Sequence, residues 1–217
     1  MAVRALALAL SGMIFYVGDF LLMHRFDRQR SDPGSGRSWG YTIFVIGAFG
    51  LLVAQPLLIP DLGLQLTGFV GAATFAVGVA VVALGLALYF WSRWHLGHYY
   101  VEDVVVQADH RVVDTGPYAA IRHPAFTSFF LIVGGFLLIN PSVLTVVAAG
   151  YTMIDFTGAA KREERLLSEE VVGYQAYMEH TGRFLPPLRR GQQFVTAVLL
   201  PVDPFKTSRR SPGQVDS

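Results

Sequence analysis

The sequence predicts an all-α integral membrane protein of five transmembrane helices, the last two a helical hairpin, with a polar cytoplasmic connector and a C-terminal helix. Three observations predict it. The 217 residues are 53% hydrophobic and only 15% charged, with a mean hydropathy of +0.44, a composition suited to lipid and not to an ordinary soluble domain. Long uncharged stretches recur, several reaching the roughly twenty residues that a hydrocarbon core of about 30 Å demands of a helix. Lys and Arg alternate between the connecting segments, as the positive-inside bias requires.

The first two crossings are Ala5–Phe20, with Asp19 as its single charge, and Trp39–Pro60, with none. A cleaved signal peptide is the rival reading of residues 1–20. Against it, the positive flank follows the apolar run instead of preceding it, and no convincing small-residue cleavage pattern follows. Leu62–Ser92 lacks Asp, Glu, Lys and Arg and is the third crossing. Within it Gly71, Gly78 and Gly85 recur every seventh residue, which sets small side chains along a seam where a neighbouring helix approaches closely. Membrane helices also simply tolerate glycine, which is the plainer reading. Pro124–Ile154 would be about 46 Å long as one helix at ~1.5 Å per residue, too long for one comfortable span. Asn140-Pro141 near its middle is a turn signal, so the stretch divides into helices over 124–139 and 141–160.

Charge orients these crossings. The 24–38 loop holds Arg25, Arg28, Arg30 and Arg37, whereas the 61–66 loop and the Asn140 turn hold no Lys or Arg. Segment 92–122 holds Arg93, Arg111 and Arg122, and nine further Lys and Arg run from Lys161 to Arg210. The pattern places the N-terminus outside and the C-terminus in the cytoplasm. Residues 1–190 are expected to form one domain, with its functional region over 89–187. Residues 191–217 form a cytoplasmic tail, whose apolar run Phe194–Val202 is too short to span. The absence of cysteine excludes disulfides, thiol nucleophiles and thiolate metal sites, and leaves the redox compartment open. A net charge of +1 argues against nucleic acid as a partner, which wants a clustered positive excess. Fifteen Arg against two Lys, with abundant Ala, Val and Gly, point to a GC-rich prokaryotic genome and so to a prokaryotic plasma membrane.

Chemistry is confined to two polar pieces, both on the cytoplasmic face. The first runs Trp91-Ser-Arg-Trp-His-Leu-Gly-His-Tyr-Tyr100, then Glu102-Asp103, Asp114-Thr-Gly-Pro-Tyr118 and Ile121-Arg-His-Pro124. Pro124 opens a helix well because its missing N–H would be unpaired there anyway. Arg122 and His123 therefore sit at a helix N-terminus, where free N–H groups and a guanidinium suit a carboxylate or phosphate. The bland alternative has Arg122 anchoring to lipid headgroups and His123 capping the helix. The second piece, Ala160-Lys-Arg-Glu-Glu-Arg-Leu-Leu-Ser-Glu-Glu170, continues the fifth helix beyond the membrane. Gly173-Tyr-Gln-Ala-Tyr177 and Thr181-Gly-Arg-Phe-Leu-Pro186 follow it. By composition alone this is a solvated helix and a turn. His95 and His98, with His110 and His123 as further ligands, raise a metal site. No adjacent carboxylates complete a familiar set, and none is expected. Asp19 and Asp155 are the acids near apolar spans, functional candidates by default. Both lie near a cytoplasmic end, so snorkelling to water is the expectation.

In combination these motifs say more. Gly116-Pro-Tyr, then Arg122-His-Pro, a helical hairpin, Arg162-Glu-Glu-Arg-Leu with Glu169-Glu170, Tyr174, Tyr177 and Arg183-Phe-Leu-Pro together resemble the isoprenylcysteine carboxyl methyltransferase and phospholipid methyltransferase family of integral-membrane enzymes. The resemblance covers about residues 89–187. It implies S-adenosylmethionine, held without a Rossmann sheet between the last helices and the cytoplasmic connector. Residues matching His95, Leu96, Gly97, Tyr99, Gly116, Pro117 and Tyr118 approach the cofactor in that family, and those matching Arg122, His123, Pro124, Glu163 and Glu164 close the pocket. Phe126 stands where the family commonly has Tyr, and Ser128 where it commonly has Gly, which puts one cofactor contact in doubt. The implied reaction is methyl transfer to a lipophilic or lipidated acceptor at the cytoplasmic face. Arg183 is the candidate for orienting an anionic acceptor, with Tyr174 and Tyr177 beside it. His123 or Glu164 would take a proton from an amine or thiol. Three alternatives stay open: a small-thiol S-methyltransferase, an NADPH-dependent membrane reductase of isoprenoid or sterol type, and a non-catalytic membrane protein with an interfacial His cluster.

Overall fold

Five helices that are apolar over most or all of their length, three of them long enough to cross a membrane, make up most of the described protein. The structure is a computed structural model and describes residues 1–27, 39–97 and 112–187. Its helices are α1 (Ala2–Asp27), α2 (Trp39–Leu58), α3 (Gly68–Leu96), α4 (Pro124–Ile139), α5 (Val143–Glu170) and a short α6 (Tyr174–His180). No strand occurs among the described residues, only two isolated bridges. α1, α3 and α5 are long and apolar enough to cross a membrane, while Ile46–Leu58 of α2 and the whole of α4 are shorter apolar helices. Leu21, Ile43, Leu51, Phe69, Leu84 and Ile154 stand exposed along these helices, an apolar exterior that marks a membrane surface.

The helices alternate in direction, as cross-links at the two ends of the bundle show. At one end Arg4 donates to the carbonyls of Leu64 and Leu66, and the buried amide of Asn140 donates to Gln55 Oε1 at 2.6 Å. At the other end the Arg25 guanidinium lies 4.5 Å over the Trp94 ring, and Arg122 meets Glu164. The last contact requires α4 and α5 to run antiparallel, so the hairpin expected from Asn140-Pro141 is present.

Several boundaries differ from those expected: α1 extends past the expected 5–20 at both ends, and α2 stops at Leu58, before Pro60. α5 begins at Val143 and not at 141, because Ser142 caps it: the Ser142 hydroxyl accepts from Thr145 N–H, and the Thr145 hydroxyl accepts from Ser142 N–H, a reciprocal box that satisfies two orphan donors. α3 begins at Gly68, not Leu62, because Pro60–Leu62 form a 3-10 turn and the next residues pair with the hairpin turn. Leu64 N–H donates to the Pro141 carbonyl at 2.7 Å. At its other end α3 continues past Ser92 to Leu96, where Gly97 closes it at φ +56 with its N–H on the Arg93 carbonyl.

The closest helix contact is between α3 and α4. A Cβ built at Gly78 would lie 2.8 Å from Ile139 N and 2.9 Å from Gly135 O, and one at Gly85 would lie 2.8 Å from Ile132 and 2.9 Å from Ser128 O. The heptad of glycines is therefore a real seam at two of its three positions. Gly71 instead faces the Leu66 carbonyl of its own approach. Around the seam, Leu8 and Phe15 of α1, Leu52 of α2, Val82 and Leu86 of α3, and Ile132 and Phe136 of α4 make the core.

Asp19 does not snorkel. It is buried at 4% exposure and accepts from the Tyr89 hydroxyl at 2.6 Å and from Arg93 Nε at 3.2 Å. A carboxylate inside an apolar bundle survives when it is paired, and the partners come from α3. Asp155, by contrast, is exposed on α5.

Gly78→Leu should overpack the seam against backbone that cannot retreat. We expect a loss of about 1–3 kcal/mol or more, read as a lowered melting temperature in detergent. Gly71→Ala would set a Cβ 2.4 Å from the Leu66 carbonyl oxygen and should also lower the melting temperature.

Candidate active site

The end of the bundle that carries Arg25 and Trp94 also gathers the polar segments. The connector before α4 makes a 3-10 turn over Gly116–Ala119, with Pro117 supplying the first fixed φ. Gly116 adopts φ +57, and a Cβ there would sit 2.5 Å from the His95 imidazole. Only glycine allows this approach. His95 Nδ1 lies 3.0 Å from the Trp91 carbonyl, which can only accept, so Nδ1 carries the proton.

After α6 the chain returns beside the connector. Gly182 N–H donates to Ala120 O at 2.9 Å, Arg122 N–H to Gly182 O at 2.8 Å and His123 N–H to Arg183 O at 3.0 Å. The N–H groups of Arg122 and His123 are thus paired, so the free-amide anion site expected there is not present at those two residues. Side chains reinforce the pairing. Tyr177 donates its hydroxyl to Tyr118 O at 2.7 Å, Thr127 donates to Phe184 O at 2.8 Å, and Arg122 Nη1 donates to the carbonyls of Met178 and Thr181.

At the centre lies Glu164. It sits on the polar extension of α5 beyond the apolar stretch that ends at Ala160, and is 4% exposed. Arg122 Nε donates to its Oε1 at 2.8 Å. His123 Nε2 lies 3.2 Å from the same oxygen. Arg183 forks onto both oxygens, with Nη2 at 2.5 Å from Oε2. Neighbouring Glu163 approaches the other face of the imidazole, 3.4 Å from Nδ1. Both ring nitrogens of His123 therefore face carboxylates, and carboxylates only accept, so the ring is held as an imidazolium. Burial pulls the His123 pKa down, but the two glutamates outweigh it and raise it above its ordinary 6.5. Burial would raise the Glu164 pKa. His123, Arg183 and Arg122 outweigh that and hold it far below its ordinary value. Burial also pushes up the hydroxyls of Tyr174 and Tyr177, so Tyr177 stays a neutral donor to the connector.

The fold thus brings together Arg122, His123, Glu163, Glu164 and Arg183, and separately joins His95 to Gly116. Leu96 and Gly97 end α3 beside the same connector. Pro117 and Tyr118 line the turn, and Pro124 is the buried first residue of α4. Tyr99, His98, His110 and the 191–217 tail lie outside the described residues. Among the described residues no three His, Asp or Glu side chains gather as a metal set. Sequence reasoning missed the aromatic wall. The His123 ring stacks on Phe126 at 5.3 Å, Phe126 stacks on Phe156 at 4.9 Å, and Phe184 packs on Phe130 at 5.1 Å. Phe126 is thus filled between two rings, and the buried Ser128 hydroxyl turns back to the Ala125 carbonyl. Phe156 lies between Asp155 and Thr157, and no sequence signal pairs it with Phe126.

These features define a polytopic helical membrane protein with a polar site built at one end of its bundle. Residues 76–169 match the model of the isoprenylcysteine carboxyl methyltransferase (ICMT) family, and this bears out the family resemblance read from the sequence. A solved structure of a eukaryotic intramembrane Ras methyltransferase, isoprenylcysteine carboxyl methyltransferase, shares the fold with a TM-score of 0.57 and 23% identity. The match covers 80% of this chain and 62% of that one, so this chain spans less than two thirds of that protein's length. No curated protein matches the chain.

Because the Glu164 pKa is lowered in the folded state, its contribution to stability is complete above about pH 4.5 and is lost as acid protonates it. Because the His123 pKa is raised, its contribution is complete below about pH 6.5 and is lost as pH rises through the folded value. Melting temperature in detergent should therefore fall on both sides of that window, and His123→Gln should flatten the alkaline side. Glu164→Gln leaves three cations facing one another and should cost roughly 3 kcal/mol or more, measured by the same melts.

Proposed function

We propose that this protein is an S-adenosylmethionine-dependent methyltransferase that spans the membrane five times, takes its cofactor from the cytoplasm and methylates a lipophilic acceptor arriving from the bilayer. The observation that carries the reading is the convergence of Arg122 and His123 from the connector and Arg183 from the segment after α6 on one buried carboxylate, at the end of the bundle where His95 also meets Gly116. The donor set suits the cofactor, whose ammonium and ribose hydroxyls need acceptors and whose carboxylate needs cations or N–H donors. Glu163 is 36% exposed and uses one oxygen on His123, which leaves a carboxylate oxygen for a cationic ligand. His95, Leu96, Gly97, Tyr99, Gly116, Pro117, Tyr118, Arg122, His123, Pro124, Glu163 and Glu164 would hold the cofactor. Bound there, S-adenosylmethionine supplies an electrophilic methyl group on a sulfonium.

The chain's own residues position and dry the site. Phe126, Phe156 and Phe184 form an apolar wall beside His123 that excludes water from the reacting groups. Arg183 has a side chain 36% exposed and is the member of the cluster that an acceptor can reach, so it orients an anionic headgroup. With both nitrogens of His123 engaged and both oxygens of Glu164 covered, neither group stands ready to take a proton. This favours an acceptor that arrives as a carboxylate over an amine or thiol.

Calorimetry on detergent-purified protein should show binding of S-adenosylmethionine and S-adenosylhomocysteine, and heat from NADPH alone would move the assignment to a reductase. His123→Ala should weaken cofactor binding by about 1–3 kcal/mol. Arg183→Lys keeps the charge but loses the fork, so turnover should fall about tenfold or more while adenosylhomocysteine affinity changes little. Equal losses in both would assign Arg183 to the cofactor instead. Single cysteines, in a chain that has none, test the orientation: Ser35→Cys, His110→Cys and Thr207→Cys should react with an impermeant reagent only in opened cells, and Gly63→Cys in intact ones.

A further inference from the structure

We propose that the buried Asp19–Arg93–Tyr89 node is a positioning element of the cofactor site, acting through the last turn of α3 on His95. The proposal rests on the methyltransferase reading above and adds to it a residue of α1, outside the stretch that carries the family likeness.

The mechanical case begins with where α3 is held. Its glycine seam against α4 ends at Gly85, ten residues before His95, or about 15 Å along a helix. α4 itself starts at Pro124, level with the cluster, so the final turns of α3 need lateral support from elsewhere. α1 supplies it. Asp19 takes hydrogen bonds from Tyr89 and Arg93 on successive turns of α3, with all three residues at 4% exposure or less. One turn further on, Arg25 lies over Trp94, and Phe26 packs edge-on against the same ring at 6.0 Å. Phe26 also reaches within 3.7 Å of where a Cβ would stand on Gly97. α1 thus grips α3 from Tyr89 to Gly97.

What the grip controls is His95. Its ring is held by Trp91 O and lies against Gly116, where a built Cβ would stand 2.5 Å from the imidazole. The grip is electrostatic where an apolar contact would have sufficed for adhesion. A paired carboxylate and guanidinium in an apolar interior admit one register, because sliding either helix strands a buried charge.

The test uses the full-length protein in detergent. In ligand-free protein, the nitrogen resonances of the His95 side chain should report a single Nδ1–H tautomer, and Asp19→Asn should shift them towards a mixture. Unchanged His95 signals would overturn the proposal whether or not any cofactor binds. Adenosylhomocysteine affinity, by calorimetry, should fall about tenfold in Asp19→Asn and in His95→Ala, and the double variant should be no weaker than His95→Ala alone, within about twofold, since coupled residues are non-additive. Additive losses would reduce the node to general structural support and overturn the proposal. Absence of binding by the native protein would remove the methyltransferase reading itself, while the resonance shift would still judge the coupling. If Asp19→Asn does not fold, Tyr89→Phe removes one hydroxyl only and should show the same shift and the same non-additivity at smaller size, and its absence counts against the node.

Discussion

A carboxylate taken out of water must be matched by positive charge, and at Glu164 the match is made three times, by Arg122, His123 and Arg183. Arg122 and His123 come from the connector before α4 and Arg183 from the segment after α6, so satisfying one side chain on α5 ties three pieces of backbone together at the polar end of the protein. The hairpin must turn at Asn140 for α5 to return to the connector. The segment after α6 must run beside the connector for Arg183 to reach. Its backbone pairing with residues 120–123 then uses the N–H groups that would otherwise be orphaned at the start of α4.

The rest of the bundle serves as a rigid base for that end. α3 and α4 meet backbone to backbone at Gly78, Gly85 and Gly135, an arrangement in which dispersion and close approach replace a hydrophobic driving force that lipid does not provide. The opposite end is closed by polar side chains answering backbone: Ser142 and Thr145 cap α5, and Asn140 reaches Gln55 of α2. Buried polar groups therefore occur at both ends and in the Asp19 node, each of them hydrogen bonded, as a low-dielectric interior demands.

This arrangement suits a reaction in which alignment matters more than acid–base strength. A site built from an imidazolium, two guanidinium groups and two carboxylates presents fixed electrostatics to ligands of either sign, at little reorganisation cost.

Much of this was legible in the residues themselves. Uncharged runs, the turn at Asn140-Pro141 and the glycine heptad mark the helices and the seam, because in lipid the backbone must satisfy itself and length and composition alone then dictate helices. The order of Gly-Pro-Tyr, Arg-His-Pro, Glu-Glu and Arg-Phe-Leu-Pro pointed to the residues of the cluster and to the family whose model matches residues 76–169. What stayed hidden were pairings between residues far apart in the chain. Asp19 reads as an acid at a helix end until Arg93, 74 residues away, is seen beside it. Nothing in the sequence shows that Arg183 forks onto Glu164, or that Phe156 stacks on Phe126. Composition and charge pattern mark which helices form, and the glycine heptad marks where two of them meet, since those depend on local sequence and solvent. Which buried charge meets which partner depends on how the helices are brought together, and only the tertiary structure decides that.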